Sequence, residues 1–160
     1  MRRALVLTVS DGVTAGVRED ASGDAIEDRL RALGFDIERA LVPDDRPTIE
    51  GALRDAGPLH PLIVTTGGTG LTPRDVTPQA TRAVVDYEVP GLAEAMRAAG
   101  RAKTPLADLS RGVVGVLGRS LVINLPGSPK GASESFDAIA PTLDHALETL
   151  AGPHDHGRDA

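Results

Sequence analysis

A run of apolar residues that empties directly into glycine is the feature that most constrains this chain. Leu62-Ile63-Val64 leads through Thr65-Thr66 into Gly67-Gly68-Thr69-Gly70, and Leu71-Thr72-Pro73-Arg74-Asp75-Val76 continues to Thr77-Pro78. A short apolar run bounded by turn residues is the pattern of a strand buried on both faces. Thr-Pro on the far side reads as a helix start, because proline is tolerated in the first helical turn. The unit is therefore strand, glycine turn, helix. Glycines let the backbone approach a ligand with no Cβ in the way, and the following helix points unpaired N–H groups back toward the turn. Thr66 and Thr69 add hydroxyls, and Asp75 is available to hold a cation. The turn suits an anion, or it is a plain tight turn between strand and helix, with Asp75 a stabilising acid near the helix N-terminus.

The rest of the chain repeats the alternation of strand and helix. Residues 4–9 read as a buried strand that ends in Ser10-Asp11-Gly12, and residues 12–21 as a polar loop. Ser22 is expected to cap a helix whose inner face is Ile26, Leu30 and Leu33, with Gly34 as its stop. Residues 35–42 alternate as a second strand that ends at Pro43-Asp44-Asp45. A helix entered through Pro47 carries Ile49, Leu53 and Ala56 inward. Helices are expected over 77–85, 92–99 and 133–150, the last with Phe136, Ile139, Leu143 and Leu147 on one face. Two short β runs, 113–117 and 121–125, flank Gly118-Arg119-Ser120 as a hairpin. The predicted fold is α/β: a single three-layer domain over residues 1–150, with a mostly parallel central sheet, one antiparallel strand, and helices on both faces. Residues 151–160 read as a frayed tail, and His154-Asp155-His156 within it carry no specific role.

A chain of 160 residues buries about 70% of its extended surface and needs no staple. With no cysteine, disulfides, thiolate metal sites and thiol nucleophiles are excluded. The net charge is −6, and the aromatics are Phe35, Tyr87 and Phe136 alone, so neither a basic patch nor a stacking platform for nucleic acid exists. No apolar run approaches the roughly 20 residues of a membrane span, and the start lacks a signal-peptide layout, which points to the cytoplasm.

In an open α/β sheet, ligands sit beyond the carboxyl ends of the strands. Four polar clusters fall at such ends: Ser10-Asp11, Asp44-Asp45, Gly67 to Asp75, and Asn124 to Lys130. Asp45 is placed to cap the next helix, which leaves Asp44 the freer acid. Asp44 and Asp75 in one crevice form the carboxylate set that Mg²⁺ prefers when phosphates supply its other oxygens. Pro126-Gly127-Ser128-Pro129-Lys130 offers a second anion cradle, or simply a proline-rich helix start. Ser110-Arg111 offers a third anion contact, or an ordinary loop. The histidines have no ligand spacing with one another.

Thr8-Val9-Ser10-Asp11, Val42-Pro43-Asp44-Asp45, Thr66 to Gly70, Thr72 to Pro78, Pro90-Gly91, Leu109-Ser110-Arg111 and Asn124 to Pro129 follow one another in the order seen in the Mog/MoaB family. The chain resembles that family over residues 4 to about 150. The resemblance implies a molybdopterin adenylyltransferase that transfers AMP from ATP to the molybdopterin phosphate with Mg²⁺ and releases pyrophosphate. It implies that the family's two essential acids fall on Asp44 and Asp75, its glycine loop on Gly67 to Gly70, and its pterin-side serine on Ser110. It also implies a homotrimer and a molybdate-inserting partner protein. The competing reading is a molybdopterin-binding or accessory module without catalysis. A degenerate binder is expected to lose one of the acids, and both are present. A dinucleotide-binding reading fails because Glu88 and Glu94, about 20 residues past the glycines, do not follow a predicted strand.

Overall fold

The computed structural model of the chain describes residues 2–153. β1 (Arg3–Val9) is followed by one turn of helix, α1 (Asp11–Thr14), and by α2 (Ala21–Ala32). Next come β2 (Asp36–Val42), α3 (Arg46–Ala56), β3 (Leu62–Thr66) and α4 (Thr77–Val84). The two-residue β4 (Tyr87–Glu88) precedes α5 (Pro90–Arg101) and a 3-10 turn over Pro105–Leu109. β5 (Val114–Leu117), β6 (Ser120–Leu125), α6 (Pro129–Ile139), a 3-10 turn over Ala140–Thr142 and α7 (Leu143–Ala151) complete the described chain. Residues 154–160, with the His154-Asp155-His156 of the expected tail, lie outside the described residues.

The strands form one six-stranded sheet in the order β2-β1-β3-β6-β5-β4. β1, β2, β3 and β6 are parallel. β5 runs against both β6 and β4, so it is the one antiparallel strand. Side chains alternate between the two faces, as a pleated strand requires. Val6, Val64 and Ile123 pack against Ile26 and Leu30 of α2, Phe136 of α6 and Leu147 of α7. Leu7, Ile63 and Val122 face the other way, onto Ile49 and Leu53 of α3 and Ala80 of α4. That is the predicted three-layer fold.

The register fixes the position of the site. Val9 pairs with Val42, Thr8 with Thr66, and Thr66 with Leu125. Four parallel strands therefore stop at one level, and the segments that begin at Ser10, Pro43, Gly67 and Pro126 leave the same sheet edge together. The chain moves from β1 outward to β2, then returns across β1 to β3, so the order of winding reverses between β1 and β3. A crevice opens at such a reversal because the two connections leave on opposite faces.

Some local expectations give way to tertiary context. Asp20, not Ser22, caps α2: its Oδ1 accepts from the N–H of Gly23 at 3.1 Å, and Ser22 is buried inside the helix. Leu33 sits at the C-cap, 48% exposed, and Phe35 takes the inward place at 3%. Gly34 (φ +86°) turns the chain between them. The expected last helix begins earlier, at Pro129, and breaks over Ala140–Thr142. Pro141 lacks the N–H and crowds the carbonyl one turn back, so the apolar stripe is kept while the helix axis is interrupted. α5 starts at Pro90 rather than Leu92, and β4, too short to show any period, is held by pairing with β5.

Asn124 is a knot in this fold. It is 1% exposed. Its Oδ1 accepts from the N–H of Val113 at 3.2 Å, and its Nδ2 donates to Thr65 Oγ1 and Thr81 Oγ1, both at 3.0 Å. One amide thus ties β6 to β3, to α4 and to the start of β5. Replacing it leaves a buried N–H and two hydroxyls without their partner. Asn124→Ala is expected to lower the unfolding free energy by about 2–4 kcal/mol in urea titration; a loss below about 0.5 kcal/mol would show that the network is dispensable.

Candidate functional site

A cavity of about 900 Å³ opens at the shared sheet edge. Ser10, Asp44, the Thr66–Gly70 turn, Asp75, Ser110 and the Pro126–Ser128 segment line it. The polar clusters that the sequence scatters over more than a hundred residues therefore meet around one volume. The opposite wall is less polar and comes from α5 and the turn after it, with Ala93, Met96, Leu106 and Leu109.

The glycine turn is built by close approach. Gly67 has φ +95°, and a Cβ there would lie 2.3 Å from the carbonyl oxygen of Val9. Gly68 has φ +69°, and a Cβ there would meet Thr77 Oγ1 at 2.2 Å. Both positions thus require glycine for conformation and for space. The N–H of Gly67 donates to Leu125 O at 3.0 Å, while Thr77 donates from Oγ1 to Gly67 O at 3.0 Å and from N to Gly68 O at 3.1 Å. By contrast, the N–H groups of Gly68, Thr69 and Gly70 have no acceptor among the described residues. Three successive donors left unpaired at a cavity wall make an anion-binding concavity. Thr66 Oγ1 beside them is buried without a hydrogen-bond partner.

Asp44 and Asp75 are each oriented through one carboxylate oxygen. Asp44 Oδ2 accepts from the N–H of Asp11 at 3.0 Å, and Asp11 Oδ1 accepts from the N–H of Asp44 at 2.9 Å. This reciprocal pair clips the end of β1 to the end of β2. Asp75 Oδ2 accepts from Thr72, from N at 3.0 Å and from Oγ1 at 2.8 Å. The second oxygen of each acid has no protein donor among the described residues. Burial first, and then the charges of Asp11 and Asp75, push the Asp44 carboxyl above its ordinary value, against the Asp11 N–H and the more distant Arg74. Asp11 moves the other way: the Asp44 N–H and the Arg74 guanidinium lower it. Asp45 caps α3 by accepting from Thr48 N at 3.1 Å, as expected, and is lowered by the two Thr48 hydrogen bonds.

Four residues singled out from the sequence are placed differently. The carboxylate of Asp11 turns to Arg74, whose Nη2 lies 2.7 Å from Oδ2, and it does not line the cavity. Asn124 reaches the cavity floor with its polar atoms already spent. Lys130 points into solvent, 83% exposed, with Nζ 4.0 Å from Glu134 Oε1. As the second residue of α6 it projects from the helix flank rather than along its axis. Arg111 lies behind the glycine turn and bonds to its backbone. Ser10 and Ser128 do line the cavity, and each hydroxyl also caps a helix, accepting from Val13 N at 3.2 Å and Gly131 N at 3.1 Å.

Other wall residues were not visible in the sequence. Asp20 lines the cavity and accepts Thr8 Oγ1 at 2.5 Å, with the Arg39 guanidinium also bonded to it. A cap signature at Asp20, followed three residues on by the small Gly23, was the available signal. Arg18 and Met96 carried none, since one sits in a polar loop and the other on an ordinary amphipathic stripe.

Residues 5–145 match the family model described as probable molybdopterin binding domain. The molybdopterin adenylyltransferase of Helicobacter pylori is 40% identical over 154 residues, covering 92% of this chain and 86% of that protein. The molybdopterin adenylyltransferase of Escherichia coli is 39% identical over 140 residues, covering 84% of this chain and 71% of that protein. The crystal structure of the molybdopterin biosynthesis enzyme MoaB from Thermus thermophilus superposes with a TM-score of 0.88 at 52% identity, covering 95% of this chain and 98% of that one. The matched span runs from β1 into α7 and contains every wall of the cavity, so the chain belongs to the molybdopterin-binding family that includes the Mog and MoaB proteins.

Proposed function

We propose that the chain is a molybdopterin adenylyltransferase, which moves AMP from ATP to the phosphate of molybdopterin and releases pyrophosphate. The observation that carries this reading is the convergence of Asp44 and Asp75 on a glycine turn with three unpaired N–H groups, inside one cavity. The activity named for the relatives from Helicobacter pylori and Escherichia coli supports it.

In this reaction an oxygen of the molybdopterin phosphate attacks the α-phosphorus of ATP. The bond from that phosphorus to the bridging oxygen of the β-phosphate breaks, and pyrophosphate leaves with the electron pair. A phosphate monoester has its second pKa near about 6, so the nucleophile is already ionised at neutral pH and needs no general base. His60 is buried against Glu38 and Ala56 O, away from the cavity lining. The obstacle is one anion attacking another, which fixed donors and placed charge must offset. The N–H groups of Gly68, Thr69 and Gly70 hold phosphate oxygens on one side. Ser128, at the start of α6, holds them on the other. Met96 and Leu106 offer an apolar wall for a flat heterocycle.

A Mg²⁺ ion fits Asp44 and Asp75. Each acid keeps one oxygen without a protein donor among the described residues, and burial, then the charges of Asp11 and Asp75, raises the Asp44 carboxyl. Among the described residues no group of three or more His, Cys, Asp or Glu side chains stands ready to hold a metal. Asp44 and Asp75 would therefore hold it together with phosphate oxygens, as Mg²⁺ prefers. When bound, the ion supplies charge that offsets the two phosphates. The proposal extends to a cytoplasmic homotrimer and to transfer of the adenylated product to a molybdate-inserting partner. These extensions rest on the resemblance to the Mog/MoaB family. Among the described residues no helix is long and apolar enough to cross a membrane.

Incubation with molybdopterin, ATP and Mg²⁺, followed by mass detection of the AMP adduct, tests the activity directly. Asp75→Asn keeps an oxygen for the Thr72 bonds and is expected to fold normally while losing AMP transfer by about 100-fold or more. Full activity in that variant rules out the role given to Asp75. Asp44 makes a separate prediction. Because folding raises its pKa, the stability tied to its protonated form is present at low pH and is lost as pH rises through the folded value. Asp44→Asn removes that loss. The variant should melt higher than the parent at pH 7 without ligand, and the gain should shrink as acid protonates Asp44 in the parent. Mg²⁺ with ATP should stabilise the parent more than the variant. A variant that melts lower at pH 7 contradicts the charge assignment.

A further inference from the structure

We propose that Arg111 is a positioning residue that holds the glycine turn and Asp75 in their working geometry from behind, rather than a residue that touches substrate. This rests on the adenylyltransferase reading above, and it gives Arg111 a role that the resemblance to the family did not imply.

The turn needs an external hold. Gly67 and Gly68 adopt positive φ, and a glycine segment sacrifices more conformational freedom on ordering than any other. Its near end is pinned to Leu125 and Thr77, as described above. Its far end is pinned by Arg111. The backbone N–H of Arg111 donates to Thr69 O at 3.0 Å. Its Nε donates to Gly70 O at 2.9 Å, its Nη2 to Asp75 O at 2.7 Å, and its Nη1 to Gln79 Oε1 at 3.3 Å. Thr69, Gly70, Asp75 and the first turns of α4 are thus gathered by one residue. Among the described residues, the other tie from 69–75 to a distant part of the chain is the exposed Arg74–Asp11 pair.

The guanidinium fork is what makes this possible. Its donors lie in one plane at fixed angles and reach three acceptors at once, which an ammonium on a flexible stem cannot do. The acceptors are two backbone carbonyls and a neutral amide, and no carboxylate forms an ion pair with Arg111 among the described residues. Its charge therefore remains uncompensated behind the unpaired N–H groups of the turn, where it favours an anion on the other side. The segment carrying Arg111 is itself braced. Arg97 of α5 donates from Nη1 to Gly112 O at 3.1 Å and to Ser110 O at 3.4 Å, and a Cβ on Gly112 would lie 3.0 Å from Asn124 O. A rigid platform therefore carries the clamp.

The test compares the parent with Arg111→Lys and Arg111→Met in the full-length protein. Hydrogen exchange is followed at the N–H groups of Thr72, Asp75 and Thr77, which donate to Asp75 Oδ2, Thr72 O and Gly68 O, with β3 as the folding control, and kcat and KM are measured for AMP transfer. In both variants β3 is expected to stay protected while exchange at these three groups speeds up by about tenfold or more. Misplacing reacting groups by about an ångström costs on the order of 100-fold in rate, so kcat should fall by about that factor while KM for molybdopterin changes less than about threefold. Lysine should not rescue. Full recovery of kcat in Arg111→Lys overturns the clamp in favour of charge alone. A raised KM for ATP with parental kcat and parental exchange overturns it in favour of direct substrate contact. If Arg111→Met loses protection in β3 as well, Arg111→Lys decides. If the parent transfers no AMP, the functional reading fails, and the exchange comparison still decides whether Arg111 holds the turn.

Discussion

The cavity depends on how closely the chain leaving β3 can pass the end of β1. A Cβ at Gly67 would sit 2.3 Å from Val9 O, and a Cβ at Gly127 would touch the Gly67 Cα at 3.4 Å. Three strand exits are packed backbone against backbone, with no side chain between them. That contact draws the Ser10, Gly67 and Pro126 segments around one volume. Any side chain at position 67 would need both a positive φ and space that the β1 carbonyl already fills. The parallel register delivers the exits to the same level, and the glycines let them touch.

Charge is then placed locally in a chain that is acidic as a whole. A net charge of −6 repels phosphates at long range, so in the proposed reading anion binding comes from short-range donors. The glycine turn supplies N–H groups, and Arg111 stands behind it, paired with no carboxylate among the described residues. The acids are distributed so that each has a different environment. Asp11 is satisfied by Arg74, Asp45 by Thr48, and Asp20 by Thr8 and Arg39. Asp44 is half-buried with the charges of Asp11 and Asp75 facing it, and burial and that like charge raise its carboxyl. In the proposed reading the fold tolerates that cost at the position where a cation would sit, a compromise between stability and function.

The second wall is held by a different device. Arg39 of β2 gathers Asp24 at 3.0 Å and Glu27 at 2.7 Å from α2, together with Asp20 at the cap. Gly23 makes room, since a Cβ there would lie 2.3 Å from both the Arg39 Nη2 and the Asp20 Oδ2. β1, β2 and the start of α2 are thereby joined next to the cavity. One face of the sheet carries α2, α5, α6 and α7, and the other carries α3 and α4, so the site is supported from both layers.

Apart from the short α1 and β4, the order of strands and helices, the three-layer fold and the polar clusters at strand ends were legible in the sequence because they are written in local pattern. Apolar runs, glycine stops and Thr-Pro or Asp-x-Pro helix starts mark them directly. Asp44, Asp75 and the glycine turn were legible for the same reason, as short motifs at strand exits. What local pattern could not decide was where a side chain's polar atoms are spent. Asn124, Arg111 and Lys130 all lie in motif segments. Burial assigns the first to a knot between β6, β3 and α4, the second to the back of the turn, and the third to solvent. Ser22 was the expected cap, and Asp20, bonded to Arg39, takes that place instead. Which oxygens remain free, and which donors remain unpaired, is set by contacts between residues far apart in the chain. The sequence by itself determined the strands, the turns and the chemical groups, since these follow from neighbours. Only the tertiary structure decided which of those groups are left over to act.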